Sequence, residues 1–405
     1  MDYTESRLAD YTEDAGIGRG SVDVPFLLLT LLLLTIGVLM VLSASFARAF
    51  YSAATKHNAA YFFNRQIGFA AMGVGLMFFA SRFPIGFYRR LSPFVMLAAV
   101  GLLLLVLVAG EKVNGARRWF NIGITFQPSE IAKIAVILLD AEIVCRNRNK
   151  MGTFRYGVLP FAAVGGIVIA LLVLEPHLSA SIIIVLISAT IMFVGGTRLI
   201  WFIAGGGAVA AGGLLAINVL DYSSERITTW LDPFADTSDT GYQIIQSLYA
   251  IGSGGFSGLG LGGGRQKYLY LPEEHNDFIF SVVCEELGFV GASVILILFA
   301  LLIVRGFWLA MHCRDRYSFL VCTGITALLA FQVILNVAVV TNLIPCTGIS
   351  LPFFSYGGTA LLLQLGEMGI VLSISRDIPE KKLIRSRRSG ETRKARSAGG
   401  EKGTI

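Results

Sequence analysis

A bundle of membrane-spanning α-helices is the architecture this 405-residue sequence predicts, and three observations predict it. Hydrophobic residues make up 55% of the chain and charged residues 15%, where an ordinary soluble domain carries about 25% charged residues. The mean hydropathy is +0.69. Uncharged stretches run from Val24 to Ala47, Leu91 to Gly110, Tyr156 to Leu174, Pro176 to Thr197 and Leu199 to Leu220. Each is close to the roughly 20 residues a helix needs to cross the hydrocarbon core. A soluble globular protein is excluded, and the fold class is all-α, polytopic.

Apolar runs between polar breaks give ten spans, near 24–46, 66–82, 92–110, 128–145, 157–174, 179–196, 199–220, 277–304, 318–340 and 357–375. The organisation follows as an N-terminal tail over 1–23, a ten-helix membrane domain over 24–375 and a basic, disordered tail over 376–405. A large loop, 221–276, separates the seventh and eighth spans. The N-terminal segment carries six carboxylates against Arg7 and Arg19, the reverse of the basic start of a cleavable signal, so the first span is expected to be retained. An even span count puts both tails on one face. With that face cytoplasmic, basic residues divide 23 inside to 9 outside, which is the positive-inside orientation. The longest polar segments then lie outside the cell, and the functional surface is expected there.

The net charge of +6 does not point to nucleic acid, because the C-terminal tail alone holds ten basic against four acidic residues. Anionic membrane lipids or a cytoplasmic partner suit such a tail. Five scattered cysteines, Cys145, Cys284, Cys313, Cys322 and Cys346, have neither disulfide nor zinc spacing and read as packing residues.

Asp277 stands where the polar run Tyr270 to Asn276 enters the apolar eighth span. It reads either as a first-turn carboxylate stabilised by the helix dipole or as a general base at the membrane surface, with Glu273 and Glu274 beside it. Glu130 and Lys133 share one face of the fourth span, three residues apart, with Asp140 on the same side; charges at that depth mark a site or a structural ion pair. Arg117 and Arg118 precede Trp119 and form either an interfacial anchor or a clamp for an anionic headgroup such as a diphosphate. Glycine fills eight of the thirteen positions from Gly252 to Gly264. No Gly-Lys-Ser/Thr follows, so no nucleotide loop is expected, and the stretch reads as a flexible loop close to a membrane-bound substrate. Asn342 to Tyr356 is too broken by proline and glycine to span, and is expected to pack as an irregular outer loop.

These segments together resemble the SEDS family of shape, elongation, division and sporulation proteins. The resemblance rests on five ordered motifs: Asn114-Gly-Ala-Arg-Arg-Trp119, Gln127-Pro-Ser-Glu130, Gly241-Tyr-Gln243 through Gly255, Leu271-Pro-Glu273 through Asp277-Phe-Ile-Phe280, and Pro352-Phe-Phe-Ser-Tyr-Gly-Gly358. Within the family, Tyr242 to Leu248 and Arg265 to Tyr270 look more like the FtsW division branch or its sporulation relative than the RodA branch. The resemblance implies a glycosyltransferase that joins lipid II units on the outer face of the bacterial cytoplasmic membrane. It also implies a class B penicillin-binding protein and other division proteins as partners. Asp277 takes the place of the family's essential acidic residue. Arg117, Arg118, Glu130 and Lys133 fall on positions associated with activity or lipid-substrate handling, and Lys267, Glu273, Glu274, His275 and Ser355 lie in the same motifs and complete the expected substrate-binding set. One departure stands out: His177 occupies a position where the family usually carries aspartate.

The implied chemistry is coherent with these residues. The donor leaves as a lipid diphosphate, already a stabilised anion, so one base suffices and no second carboxylate is needed as acid. Arg117, Arg118, Lys133 or a divalent cation, Mg or Mn, would neutralise the diphosphate. Two other readings stay open: a lipid II flippase, with Glu130, Lys133, Asp140 and Glu286 as a polar track, and a scaffold for division enzymes.

Overall fold

A computed structural model describes residues 20–113, 116–121, 125–207, 229–235 and 240–378. Most of both tails, Asn114, Gly115, residues 208–220 of the seventh span and the loop segments 221–228 and 236–239 lie outside the described residues. The long helices in chain order are α1 Val24–Tyr51, α2 Tyr61–Ala80, α3 Ile85–Ala109, α4 Pro128–Arg146, α5 Leu159–Leu174, α6 Leu178–Gly195, α7 Thr240–Gly254, α8 Ile279–Met311, α9 Arg316–Val340 and α10 Gly358–Ser375, with a single helical turn at Phe154–Gly157 before α5. The protein is a multi-pass membrane protein. Nine of the ten expected spans correspond to described helices, and the seventh begins with helical backbone at 199–207.

Several helices outrun their apolar stretches: α1 reaches past Arg48, α2 begins before Arg65, and α3 begins before Arg89 and Arg90. Charge marks where the hydrocarbon ends, not where the backbone hydrogen bonds end, so hydropathy alone trims such helices. Among the described residues, seven helical segments are long and apolar enough to cross a membrane by composition. The other two, α2 and α4, carry polar residues such as Gln66, Lys133 and Asp140 on buried faces. Helices α9 and α10 are the most enclosed of the apolar helices, whereas α3 turns Phe94, Leu97 and Val108 outward as a lipid-facing surface.

The chain enters and leaves at one end of the bundle. The Gly20 amide donates to the Arg376 carbonyl over 2.9 Å, and the Asp23 amide donates to the Ser375 hydroxyl. The Asp23 carboxylate caps α1 by accepting from the Phe26 amide at 2.9 Å and pairs with Arg305 near the far end of α8. This tail end and the opposite, sheet end set the directions of all the helices.

At the sheet end, between α3 and α4, lies the one departure from helix among the described elements: a small antiparallel meander of β1 Glu111–Val113, β2 Ala116–Asn121 and β3 Thr125–Phe126. Glu111 faces Trp119, Lys112 faces Arg117 and Phe120 faces Phe126. Strands this short carry no periodicity that a sequence could betray.

Helix α7, in the segment read as loop, packs against α8. The glycine-rich stretch after it, expected to be flexible, is instead pinned by main-chain hydrogen bonds. Helix α8 breaks at Gly288, with φ 66°. The amides of Leu259 and Gly260 donate to the carbonyls of Glu285 and Glu286, and the amides of Phe289 and Val290 donate to Gly255 and Phe256. The loop thus replaces the helical hydrogen bonds that the break removes. Contact is close enough that a Cβ on Gly258 would stand 2.2 Å from the Glu286 carbonyl oxygen, which is why glycine is needed there.

Candidate functional site

A cavity of about 800 Å³ opens at the sheet end, where α4, α6, α9, α10 and the loop before α8 converge. Each wall has a local cause. Pro128 starts α4 at its first turn and aims Glu130 and Lys133 inward one turn later. Lys133 Nζ lies 2.7 Å from Glu130 Oε2, an ion pair within the cavity wall. On β2, successive residues project to opposite faces, and the two arginines separate accordingly. Arg118 lines the cavity and donates to the Glu175 carbonyl at 2.9 Å, whereas Arg117 turns back to the Leu107 and Val108 carbonyls at the C-terminus of α3.

Asp277 sits two residues before the first helical residue of α8, and Phe278, not Asp277, is the capping residue. It is therefore not the first-turn, dipole-stabilised carboxylate that one reading of the sequence expected. Its side chain faces the cavity from a tight turn. The amides of Asn276 and Phe278 donate to the Glu273 carbonyl, Glu273 takes φ 55°, and Leu271 and Phe278 plug the turn into the core. Burial pushes the Asp277 carboxyl up to about 6; Glu273 adds to the rise, and His275 and Arg118 oppose it. A carboxylate raised toward neutrality at the wall of a cavity is suited to accept a proton.

Of the ten residues singled out from the sequence, Arg118, Glu130, Lys133, Glu273, Asp277 and Ser355 line this cavity. The other four lie outside its lining. Arg117 is engaged with α3 as described. Lys267 is buried, 2.7 Å from Glu286 Oε1 and 3.1 Å from the Ser43 hydroxyl. Glu274 is fully buried in a two-pronged pair with Arg48 of α1 at 2.7 and 2.8 Å. Burial works to raise the Glu274 carboxyl, but the hydrogen bonds from His275 and Arg48 prevail and hold it below its ordinary range. His275 packs against the rings of Phe62 and Tyr356, which also contact each other. Glu274 and His275 brace the turn that carries Asp277; the sequence places them in its motif but cannot say which way each side chain points. Asp140 and Glu286 also face elsewhere, Asp140 accepting from Ser188 at 2.7 Å and Glu286 from Lys267.

Ser355 touches the cavity, yet its hydroxyl is engaged in protein bonds, donating to the Asn276 carbonyl at 2.9 Å and accepting from the Leu351 amide at 2.7 Å. His177 lines the wall, and burial with Arg118 and Lys133 nearby pushes its imidazole down to about 3, so it is neutral near pH 7. The neighbouring Glu175 carboxyl is pushed up to about 8 by burial against the pull of Arg118. The wall around Asp277 thus holds the cations of Arg118 and Lys133 alongside the carboxylates of Glu130 and Glu273. Gln127, Gln243 and Gln332 add neutral amides that sequence reasoning did not rank; an isolated glutamine carries no signal of its own. Among the described residues no three or more His, Cys, Asp or Glu side chains converge as a metal cage.

Comparison with known proteins places this arrangement. The family model FtsW/RodA/SpoVE, described as cell cycle protein, matches residues 24–379. Stage V sporulation protein E of Bacillus subtilis is 40% identical over 362 residues, covering 88% of this chain and 98% of that protein. The probable peptidoglycan glycosyltransferase FtsW of Trichlorobacter lovleyi is 40% identical over 357 residues, covering 87% and 93%. Among solved structures, a chain of a peptidoglycan synthase complex that coordinates polymerization and crosslinking superposes with a TM-score of 0.74 at 30% identity, over 89% of this chain and 99% of that one. The rod shape determining protein RodA of Thermus thermophilus gives 0.66 at 28% identity, over 89% and 98%. The chain belongs to the FtsW/RodA/SpoVE family of cell cycle proteins, the SEDS proteins.

Proposed function

We propose that this chain polymerises lipid II into glycan strands on the outer face of the cytoplasmic membrane, with Asp277 as the general base. The chain is a peptidoglycan glycosyltransferase acting in division or sporulation. The observation that carries the mechanism is a carboxyl pushed up to about 6 that faces a cavity of about 800 Å³ shared with Arg118 and Lys133. Asp277 takes the proton of the acceptor sugar's 4-hydroxyl as that oxygen attacks the anomeric carbon of the donor. The bond from that carbon to the lipid diphosphate breaks, and the diphosphate leaves with its negative charge facing Arg118 and Lys133. Glu130 holds Lys133 in place, and Glu273 keeps the Asp277 carboxyl basic. His177, being neutral, adds no charge that would compete for the diphosphate. Among the described residues no three His, Cys, Asp or Glu side chains converge, so a divalent cation at the diphosphate would be held by one or two carboxylates together with the phosphates themselves.

The basic-residue bias and the placement of the cavity at the end opposite the tails support an extracytoplasmic site with both termini cytoplasmic. A class B penicillin-binding protein fits as partner through lipid-facing helices, by analogy with the solved complex that couples polymerization to crosslinking. The test is Asp277→Asn, which keeps size and most hydrogen bonding while removing basicity. The variant is expected to insert normally and to lose at least about 100-fold of lipid II polymerisation in detergent. Near-normal glycan synthesis at matched protein levels would refute Asp277 as the base. Glycan made without a bilayer also separates polymerisation from flipping.

A further inference from the structure

Asp277 owes its place to backbone contacts that no charged residue makes. Asn336, fully buried on α9 one turn before the helix ends at Val340, directs its side-chain amide nitrogen to two main-chain oxygens: that of Asp277 at 2.8 Å and that of Ile349 at 2.6 Å. Both partners are carbonyls, so the nitrogen end of the carboxamide must face them, and its two hydrogens are both used. The side-chain oxygen has no partner among the described residues, so the group acts purely as a double donor. Ile349 belongs to the irregular strap between α9 and α10, which walls the cavity together with Gly348. Gly348 has φ 66°, and a Cβ built on it would stand 3.1 Å from Asp277 Oδ2, so the strap lies directly against the carboxylate.

We propose that Asn336 is a positioning residue for the reaction: its carboxamide ties the Asp277 backbone to the strap and so fixes the carboxylate at the cavity wall. This rests on Asp277 being the general base. Without the double donor, one buried and one part-buried carbonyl lose their partner at once, and a buried acceptor left unpaired is costly enough to drive local rearrangement. The turn and the strap then part, Oδ2 loses the wall beside it and water reaches the carboxylate. Misplacement of a base by about 1 Å can cost on the order of 100-fold in rate, with little effect on binding elsewhere in the site.

The experiment compares the full-length parent, Asn336→Leu, Asn336→Ser and Asp277→Asn in detergent with lipid II, measuring kcat, KM and the acid limb of the pH profile. Asn336→Leu keeps bulk and removes both donors. Its kcat should fall by about 10- to 100-fold with KM within about twofold, and its acid limb should move to lower pH as the carboxyl becomes hydrated. Asn336→Ser keeps one donor in a smaller side chain and should lie between Leu and the parent on both readouts; it carries the test alone if the Leu variant does not accumulate. A kcat within about twofold of the parent, a loss confined to KM, or a lowered kcat with an unmoved acid limb would each overturn the inference. Asp277→Asn separates the two failures. If that variant is inactive while Asn336→Leu is fully active, the positioning role alone falls; if it is active, the base assignment falls first.

Discussion

The acid limb of the pH profile is the most direct reading of the site, because it follows from one residue and its neighbours. With the Asp277 carboxyl near 6, roughly nine-tenths of it is ionised at pH 7 and roughly one-tenth at pH 5. The base form is the active one, so activity rises with pH through this range. Between pH 7 and pH 5, kcat/KM should fall by about tenfold, whereas a carboxylate at an ordinary value near 4 would lose only about a tenth of its base form. Two neighbours set the sign of further shifts. Glu273 raises the carboxyl and Arg118 lowers it, so Glu273→Gln should move the limb to lower pH and Arg118→Gln to higher pH. The assay is the initial rate of glycan formation from lipid II in detergent between pH 4.5 and 8, with protein integrity checked at each pH. The parameter is kcat/KM, which reports the free enzyme. A flat profile from pH 7 to pH 5 in intact protein would refute the argument. So would displacement of the limb in the same direction by both variants.

Two other outcomes follow from the ion pairs and the topology. Lys133→Glu sets two carboxylates together where a buried pair stood and should cost about 3–5 kcal/mol of stability, seen as lost monodisperse protein; adding Glu130→Lys should recover folding but not polymerisation. Full activity in the swap would remove the pair from the site. With the native cysteines replaced by alanine, a membrane-impermeant maleimide applied to intact cells should label Lys112→Cys, exposed at the sheet end, and not Arg148→Cys, exposed at the tail end. The reverse pattern would invert the membrane orientation. Native Cys346 is a poorer reporter, since it is buried in the cavity wall.

The sequence exposes what depends on solvent preference and conceals what depends on direction. Nine of the ten apolar runs locate described helices because the hydrocarbon core demands them, and charged breaks locate the ends to within a turn or two. The β meander, helix α7 and the break at Gly288 give no such signal. Strands of two to six residues are too short for periodicity, α7 lies in a polar segment, and the break is visible only through the glycines that repair it. The candidate site divides the same way. Charge in an apolar setting singles out Asp277, Glu130, Lys133 and Arg118, and the fold brings these to one cavity. The same criterion also selects Lys267, Glu274 and His275, whose partners Glu286, Arg48, Phe62 and Tyr356 come from 19 to 226 residues away or from other helices. No local pattern can separate a charge that faces a cavity from one that is paired with a distant helix.

That second set explains why an exposed-looking turn can hold a raised carboxyl in place. A raised carboxylate costs folding free energy whenever it is ionised, so the segment bearing it tends to relax toward water unless its backbone is fixed from several directions. Residues 274 to 277 are fixed in that way. Arg48 of α1 holds the Glu274 side chain, the Tyr356 amide donates to the His275 carbonyl, Ser355 donates to the Asn276 carbonyl and Asn336 donates to the Asp277 carbonyl. Four consecutive residues are anchored to three separate parts of the bundle. Flexibility at Asp277 would let the carboxylate hydrate and its pKa fall, and the rise that suits it to accept a proton would be lost. The distant Arg48–Glu274 ion pair therefore belongs to the same chemistry as the cavity, although neither residue lines it.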